Sequence, residues 1–524
     1  MSRKIIEKIK IKNFKRFKEF EIKFNDSINL LIGDNESGKS TILNAIDLVL
    51  SGSRSKVESC GLDNMFNSEA IRDFLASGKK YDDLPTLYVE LYFNDQTNKD
   101  LDGKNNSDGV KTHGLALRCE PRDDLSGEIK DILKQKESNF PFEFYSITFK
   151  TFEGSSYTGY RKFMSHLLLD STEINHEYAT KSYIKTLYNN TVVDESERNR
   201  HQNEYRKHKE AFKDSVLVDL NSRVSSDEYS FSIRNNSKAN LETDLTIKEG
   251  DIDLENRGKG RQCFIKTEFA LQKNQKELDA ILIEEPENHL SHINMKKLID
   301  MINKSENKQL FITTHSNLIS SRLDLRKSIL LNSNSTIPIL LDQLPEDTAK
   351  FFMKAPDNNI LEFIFSKKVI LVEGDSEFML MECFYTNTTF SKLENSDIHV
   401  ISVGGTSFKP YFDIAKELKI ETAVITDNDG NYQENCVNRY SGYKDTNMAI
   451  FSETDNKIST FEISLYQNNT KICDELFKTG RRTLSVQDYM LSNKTNCAFE
   501  LLEKKSTEIK TPKYIEHAIQ WIKK

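Results

Sequence analysis

Apolar and polar residues alternate on two different periods along the chain, and each change of period marks an element. Residues 4–12 alternate, with Ile5, Ile9 and Ile11 set among charged neighbours, and Phe20, Ile22 and Phe24 repeat the pattern. Both stretches read as half-buried strands. Ile28 to Ile32 is a short, mostly apolar strand running into Gly33, and behind it Ile42, Ala45, Ile46 and Val49 mark one face of a helix. Leu87, Val89, Leu91 and Phe93 predict a further strand. Residues 95–140 are polar and rich in Asp, Asn and Lys, which predicts surface loops and short elements. Residues 160–215 read as mostly helical and heavily charged, above all from Asp194 to Asp214. That tract is either a solvent-facing helical insertion or an oligomerisation arm.

From Ala280 the pattern is α/β again, with buried strands at Ile281–Ile283 and Leu310–Thr313. A loop-rich stretch containing Pro338, Pro345 and Pro356 predicts a domain boundary. Beyond it, Lys368–Val372, His399–Val403 and Ala423–Thr426 are three short apolar strands separated by helical segments, as parallel α/β packing requires.

Composition narrows the class. A chain of 524 residues, 37% hydrophobic, suits two or three domains with substantial cores. No apolar run approaches the roughly 20 residues of a membrane span, and the charged, alternating N-terminus lacks the apolar stretch of a secretory signal. The seven cysteines are scattered without a CxxC pair, which argues against a disulfide framework or a zinc site and predicts a reducing, cytoplasmic setting. A net charge of −8 gives no general sign of nucleic-acid binding, but Lys478 to Lys524 carries ten Lys/Arg against five Asp/Glu. A solvated helical surface accounts for that excess as readily as a DNA-facing one.

Two stretches carry chemistry. Gly33-Asp34-Asn35-Glu36-Ser37-Gly38-Lys39-Ser40, followed by Thr41, fits the P-loop pattern and lies between a strand and a helix. Glycines let backbone N–H groups surround phosphates, and the helix N-terminus adds partial positive charge. Gly33, Asn35, Gly38, Lys39, Ser40 and Thr41 are therefore candidate ATP-binding residues, with Lys39 reaching the β- and γ-phosphates and Ser40 ligating Mg²⁺. Ile281-Leu282-Ile283-Glu284-Glu285-Pro286-Glu287 delivers carboxylates at a strand end, where α/β sites form. Glu284 is expected in the Mg²⁺ shell and Glu285 as the group that polarises the attacking water. The second stretch is Val372-Glu373-Gly374-Asp375-Ser376-Glu377, then Val403-Gly404-Gly405-Thr406, then Thr426-Asp427-Asn428-Asp429. Carboxylates at the ends of adjacent strands repel one another unless cations neutralise them. Hard carboxylate oxygens suit Mg²⁺ or Mn²⁺, and two such ions about 3.5–4 Å apart suit phosphodiester cleavage.

The order IKNFKRF, GDNESGKST, ILIEEPENHL and ITTHSN resembles the ABC ATPases of the SMC/RecF/Rad50 group. The resemblance implies that His315 is a switch histidine sensing the γ-phosphate. It also implies that ATP is sandwiched between two heads, hence a homodimer or a higher even-numbered oligomer. The partner's signature loop would correspond to Arg257-Gly258-Lys259-Gly260-Arg261-Gln262, which departs from the usual Ser-Gly-Gly-Gln. No Q-loop glutamine is identified, and no long heptad coiled coil separates the two halves, unlike a true SMC or Rad50 protein. The second stretch resembles a Toprim domain. An ABC ATPase followed by Toprim is the layout of the OLD (overcoming lysogenisation defect) nucleases of prokaryotes. That likeness implies Glu373, Glu377, Asp427, Asp429 and Glu462 as metal ligands, with Asp375 a lesser candidate, and Lys494 as a basic residue that stabilises the pentavalent phosphate. Catalysis would then rest on Glu285 and His315 at one site and on Glu373, Asp427, Asp429 and Lys494 at the other.

The expected fold is α/β. An ABC-type ATPase head spans 1–355 with a helical insertion at about 160–215. A Toprim domain spans 356–470, and a helical extension, 471–524, completes the nuclease domain. The expected activity is ATP-regulated, metal-dependent cleavage or nicking of DNA in anti-phage defence, with a regulatory protein or nucleic acid as a further partner. The alternative is an ATP-gated DNA clamp or scaffold that does not cut.

Overall fold

The structure is a computed structural model that describes residues 3–135, 139–159, 161, 163–170, 183–185, 187–189, 191–192, 194–223, 231–233, 241–271, 278–288, 290–305, 308–333, 335–355, 359–443, 447–478 and 484–524. The chain divides into two compact units, Met1–Ile319 with Lys327–Ile339, and Ser320–Arg326 with Leu340–Lys524.

The first unit holds two large sheets. One is antiparallel, built from β1 (Ile6–Phe14), β2 (Phe17–Lys23), β4 (Leu87–Phe93), the two-residue β5 (Asp102–Gly103), β6 (Thr112–Pro121) and β7 (Tyr145–Thr151). Its order is β2-β1-β4-β6-β5, with β7 also on β6. The alternation read from the sequence sets the register: Ile9 lies opposite Ile22 on one side and Leu91 on the other, and all three are buried. Strand β6 corrects the expectation of loops over 95–140. Leu115, Leu117 and Cys119 alternate inward there, in a stretch whose polar flanks hide the period.

The other sheet runs β14-β13-β3-β12-β11-β8. It comprises β3 (Ile28–Gly33), β8 (His166–Asp170), β11 (Ala280–Glu284), β12 (Gln309–Thr314), β13 (Ser328–Asn332) and β14 (Ser335–Leu340). The pairs from β13 through β3, β12 and β11 to β8 are parallel. Strands β3 and β12 are buried along their whole length, as strands covered on both faces are. Strand β8 is a second correction, because it lies within the tract expected to be mostly helical. Further along that tract one long helix, Glu195–Asn221, runs for 27 residues with none buried. Residues 171–182 of the tract lie outside the described residues.

Two more elements of this unit matter for function. Helix α1 (Lys39–Ser51) follows β3 and buries Ile42, Ala45, Ile46 and Val49, the face read from the sequence. Helix α2 (Lys259–Leu271) follows a small antiparallel ribbon of β9 (Lys248–Glu249) and β10 (Ile252–Asp253).

The second unit is built on a four-stranded parallel sheet of order β16-β15-β17-β18. Its strands are β15 (Lys368–Val372), β16 (Ile398–Ser402), β17 (Glu421–Ile425) and β18 (Met448–Phe451). The first three are the expected strands; β18 was not foreseen, being four residues long and only partly buried. Helix α3 (Asp375–Thr389) leaves the end of β15, while α4 (Phe461–Asn468), α5 (Lys494–Lys505) and α6 (Lys513–Lys523) follow β18. Leu380, Phe384, Phe461, Leu501, Ile515 and Ile519 share one core with β15 and β17, so the C-terminal helices belong to the same packed body as the sheet. Pro338 lies in β14 and Pro345 caps a helix over Glu346–Lys354, so the expected loop-rich boundary is partly structured. Pro356 lies outside the described residues. Among the described residues no helix is long and apolar enough to cross a membrane, and none of the seven cysteines forms a disulfide.

Candidate functional site

The first site forms where β3 turns into α1. Gly38 adopts φ 98°, a left-handed conformation that glycine takes without strain. A side chain there would also strike Phe17 and Arg16, whose Cζ and Cδ stand 2.4 and 2.8 Å from the place of a Cβ. The turn between β1 and β2 thus lies directly against the loop. A cavity of about 350 Å³ opens beside it, lined by Lys15, Arg16, the loop from Asn35 through Thr41, Glu285 and His315. Of the residues expected to bind nucleotide, Asn35, Gly38, Lys39, Ser40 and Thr41 line this cavity. Gly33 ends β3 beneath it, paired in register with Leu331.

Lys39 is 5% exposed and donates to the carbonyls of Gly33 at 2.8 Å and Asp34 at 3.0 Å. Burial lowers its pKa, while the charges of Glu285 and Asp34 oppose that shift. Arg16 donates to the carbonyls of Glu36, Asn332 and Ser333, tying the β1–β2 turn to the phosphate loop. Glu284 ends β11 in register with Thr313 and Asp170. Burial raises its pKa, opposed by a hydrogen bond with the Ser40 hydroxyl, so Glu284 and Ser40 stand together as a shared Mg²⁺ shell requires.

Glu285 sits one residue further on, in a left-handed conformation at φ 41°. Its N–H donates to Thr313 O and Oγ1, both at 3.1 Å. Its carboxylate accepts from Asn288 Nδ2 at 2.9 Å and lies 3.3 Å from His315 Nε2. A non-glycine residue held at positive φ is uncommon, and here the turn carries the carboxylate into the cavity. The loop Arg257–Gln262 lies at the start of α2. Arg257 and Arg261 both pair with Glu249 of the ribbon. Gln262, expected to face a partner, is instead buried and donates to Arg257 O at 2.8 Å and Glu255 O at 3.3 Å. Gly258 and Lys259 are the exposed members of this loop.

The second site forms at the C-terminal ends of β15 and β17, which pair in parallel so that Val372 meets Ile425. Glu373 follows β15 and accepts through Oε1 from the Thr426 hydroxyl and, at 2.8 Å, from Asp427 N–H. Asp427 Oδ1 accepts from Phe461 N–H at 2.7 Å, at the start of α4. One turn into α3, Glu377 is buried, and on α4 Glu462 is buried as well. Lys494, at the start of α5, lies 2.9 Å from Glu462.

Electrostatics bind these groups into one cluster. Burial pushes the Asp427 carboxyl up to about 8, and the charges of Glu373, Glu377 and Glu462 add to it. Burial likewise raises Glu377 to about 7, with Glu462 and Glu373 contributing. Burial also raises Glu373, opposed by the Thr426 and Asp427 hydrogen bonds. Burial works against the charge on Lys494, but its pairing with Glu462 outweighs that and its pKa is raised. Asp429 stands on the exposed rim at φ 46°, and Asp375 is exposed with Ser402 Oγ 3.5 Å away.

The donor chemistry fits a hard divalent cation: Glu377 and Glu462, buried, and Glu373 and Asp427, half-buried, repel one another, with Lys494 beside them to offset the charge. Among the described residues, however, no three His, Cys, Asp or Glu side chains stand at ligand spacing as placed. The carboxylates would have to swing together to share an ion.

Three contributors escaped the sequence. Asn428, the middle residue of Asp427-Asn428-Asp429, is 1% exposed. It donates to the carbonyls of Glu453, Asp455 and Ile458 at 2.8, 3.1 and 3.2 Å and accepts from Gly430 N–H. It pins the loop after β18 under the site, which its position between two aspartates does not disclose. Arg16 lay within a quoted motif without a role. Glu287, two residues past Glu285, proves to be a hydrogen-bonding hub.

Residues 5–319 match the AAA ATPase domain family. Residues 364–429 match the family described as "Overcoming lysogenization defect protein-like, TOPRIM domain". Among curated relatives, the DNA double-strand break repair Rad50 ATPase of Methanopyrus kandleri is 46% identical over 46 residues, which is 9% of this chain and 5% of that protein. The chain therefore spans only a small part of that relative. Among solved structures, an SMC head bound to the C-winged helix domain of ScpA is 17% identical, covers 65% of this chain and 99% of its own, and has a TM-score of 0.34. The C-terminal region of the Xanthomonas campestris pv. campestris OLD protein is 21% identical, covers 30% of this chain and 94% of its own, with a TM-score of 0.23. The chain belongs to the AAA ATPase domain family across its first unit, and its second unit carries a Toprim domain of the OLD type.

Proposed function

We propose that this protein is an ATP-binding, divalent-metal-dependent DNA endonuclease whose ATPase domain regulates a Toprim nuclease. The observation that carries the reading is the gathering of Glu373, Glu377, Asp427 and Glu462, with Lys494, at the ends of β15 and β17. Glu373, Glu377, Asp427, Asp429 and Glu462 hold Mg²⁺ or Mn²⁺ in this reading. A divalent ion bound there supplies Lewis-acid stabilisation of the charge that builds on a phosphodiester. Lys494 places its ammonium beside the same phosphate, where a fixed positive charge favours the transition state over the ground state. At the other site the loop from Asn35 to Thr41 binds the triphosphate. Ser40 and Glu284 hold Mg²⁺, Glu285 orients the attacking water, and His315 senses the γ-phosphate. Two heads facing one another complete that site, so the assembly is a two-fold dimer or a higher even-numbered oligomer. The OLD-type match supports a role in prokaryotic anti-phage defence.

A second reading is an ATP-gated DNA clamp or scaffold that does not cut. It is favoured by the absence of ligand spacing among the described carboxylates and by the pairing of Lys494 with Glu462. Nicking of supercoiled plasmid in Mg²⁺ and in Mn²⁺ separates the two. The nuclease reading expects nicking by the parent and none by Glu373→Ala. A parent that binds plasmid but leaves it supercoiled in both metals supports the clamp.

A further inference from the structure

The ATP site contains a carboxylate with no assigned part in binding or hydrolysis. Glu287 Oε1 accepts three hydrogen bonds, from the Thr314 hydroxyl at 2.7 Å, His315 N–H at 2.6 Å and Ser316 N–H at 3.1 Å. Those donors are the last residue of β12 and the two that follow it. One oxygen therefore fixes the backbone on both sides of His315, while the His315 ring lies 3.3 Å from Glu285.

Glu287 itself hangs from the same turn as Glu285, three residues past the end of β11. The β11 and β12 strand ends are already joined by Glu285 N–H to Thr313. Glu287 adds a second clasp and leaves the imidazole little freedom relative to Glu285. We propose that Glu287 is a positioning residue for ATP hydrolysis, holding the loop that carries His315 so that its ring stays registered with the Glu285 carboxylate.

Stability alone does not account for the residue. Glu287 Oε2 is buried without a hydrogen-bond partner among the described residues, and such an orphaned acceptor costs about 1–3 kcal/mol. Glutamine would keep the Oε1 acceptor and remove a buried charge. Aspartate would keep the charge but shorten the reach by one methylene. Acceptor and charge are thereby separable by substitution.

The inference rests on the reading of Glu285 and His315 as the hydrolytic pair, so Glu285→Gln is assayed beside Glu287→Gln, Glu287→Asp and Glu287→Ala in the full chain. Steady-state ATP hydrolysis gives kcat and KM, a fluorescent ATP analogue reports binding, and thermal melting reports folding. Glu287→Ala and Glu287→Asp are expected to lose roughly 10- to 100-fold in kcat, the scale of a slightly misplaced catalytic group, with KM and analogue binding close to the parent. Glu287→Gln is expected to stay within about threefold of the parent in kcat and to melt no lower. Should Glu287→Ala fail to fold, the Gln and Asp variants decide, because the proposal requires Gln to exceed Asp. Equal loss in both, or Asp above Gln, overturns it. Parental turnover by Glu285→Gln would instead remove the hydrolytic reading of the site, an outcome distinct from parental turnover by Glu287→Ala alone.

Discussion

Replacing Asp427 with Asn tests the carboxylate cluster without reference to cleavage. The substitution removes a charge yet keeps an oxygen where Phe461 N–H donates at 2.7 Å. In the folded chain Asp427 holds its proton up to about pH 8, against 3.8 ordinarily. A carboxyl raised by folding contributes stability in full below its unfolded pKa, and that contribution is lost as pH rises through the folded value. At about 1.4 kcal/mol per pH unit, the displacement corresponds to at most on the order of 6 kcal/mol. Glu373, Glu377 and Glu462 share it, since protonating one relieves the others, so roughly 2–3 kcal/mol is the expected cost of the single charge. In a unit of this size each kcal/mol moves Tm by about 2–4 °C. Calorimetry of the full chain in EDTA should therefore place Asp427→Asn roughly 5–10 °C above the parent near pH 8.5, with little difference near pH 5. Adding Mn²⁺ should raise the parent's transition at the higher pH, because an ion replaces the protons, and should raise the variant's far less. Equal melting of the two proteins at both pH values, or equal stabilisation by Mn²⁺, would refute the argument that these carboxylates repel one another and share an ion.

Asn428→Ala should lower stability by about 1–3 kcal/mol, because it strips donors from three partly buried carbonyls; unchanged denaturant midpoints would show that the loop after β18 is held otherwise. Lys494→Ala should cut plasmid nicking at least about tenfold while Mn²⁺ still raises Tm, since the ammonium serves the phosphate rather than the ion; loss of the Mn²⁺ effect would assign Lys494 to ordering Glu462 instead. Lys39→Ala should weaken ATP binding. At fixed free Mg²⁺, nicking by the parent should change as ATP is raised and nicking by Lys39→Ala should not, which requires that ATP bind two states unequally. A flat response in the parent would make the two sites independent.

Legibility in the sequence followed the strength of each local period. Strands β1 and β4 and the buried face of α1 could be read because apolar residues recur at fixed spacing, and β3 because a short, mostly apolar run leads into the glycine loop. Strand β6 was lost among polar neighbours although Leu115, Leu117 and Cys119 alternate faithfully, and β8 was lost because three leucines in a row inside a charged tract carry no period. Strand β18 is too short to establish one. The carboxylates of both sites were visible because strand ends are where such residues collect. What each carboxylate touches was not. Gln262 turns inward because Arg257 and Glu255 offer it carbonyls, and Glu287 becomes a hub because β12 ends beside β11. The Glu287 contacts reach 27 to 29 residues along the chain, and those of Gln262 depend on how the loop before it folds back; a local pattern is silent about both.

The packing of Phe17 and Arg16 against Gly38 joins the β1–β2 hairpin and the phosphate loop into a single mechanical assembly. The hairpin of β1 and β2 and the phosphate loop cannot shift independently, because the aromatic ring occupies the space that any side chain at position 38 would need. A substitution of Gly38 would wedge the hairpin outward as well as strain the loop. Trimming Phe17 to alanine could accommodate the added bulk but would not restore the left-handed backbone. The two positions should thus show one-sided compensation: a smaller residue at 17 softens damage at 38, and no residue at 17 repairs it fully.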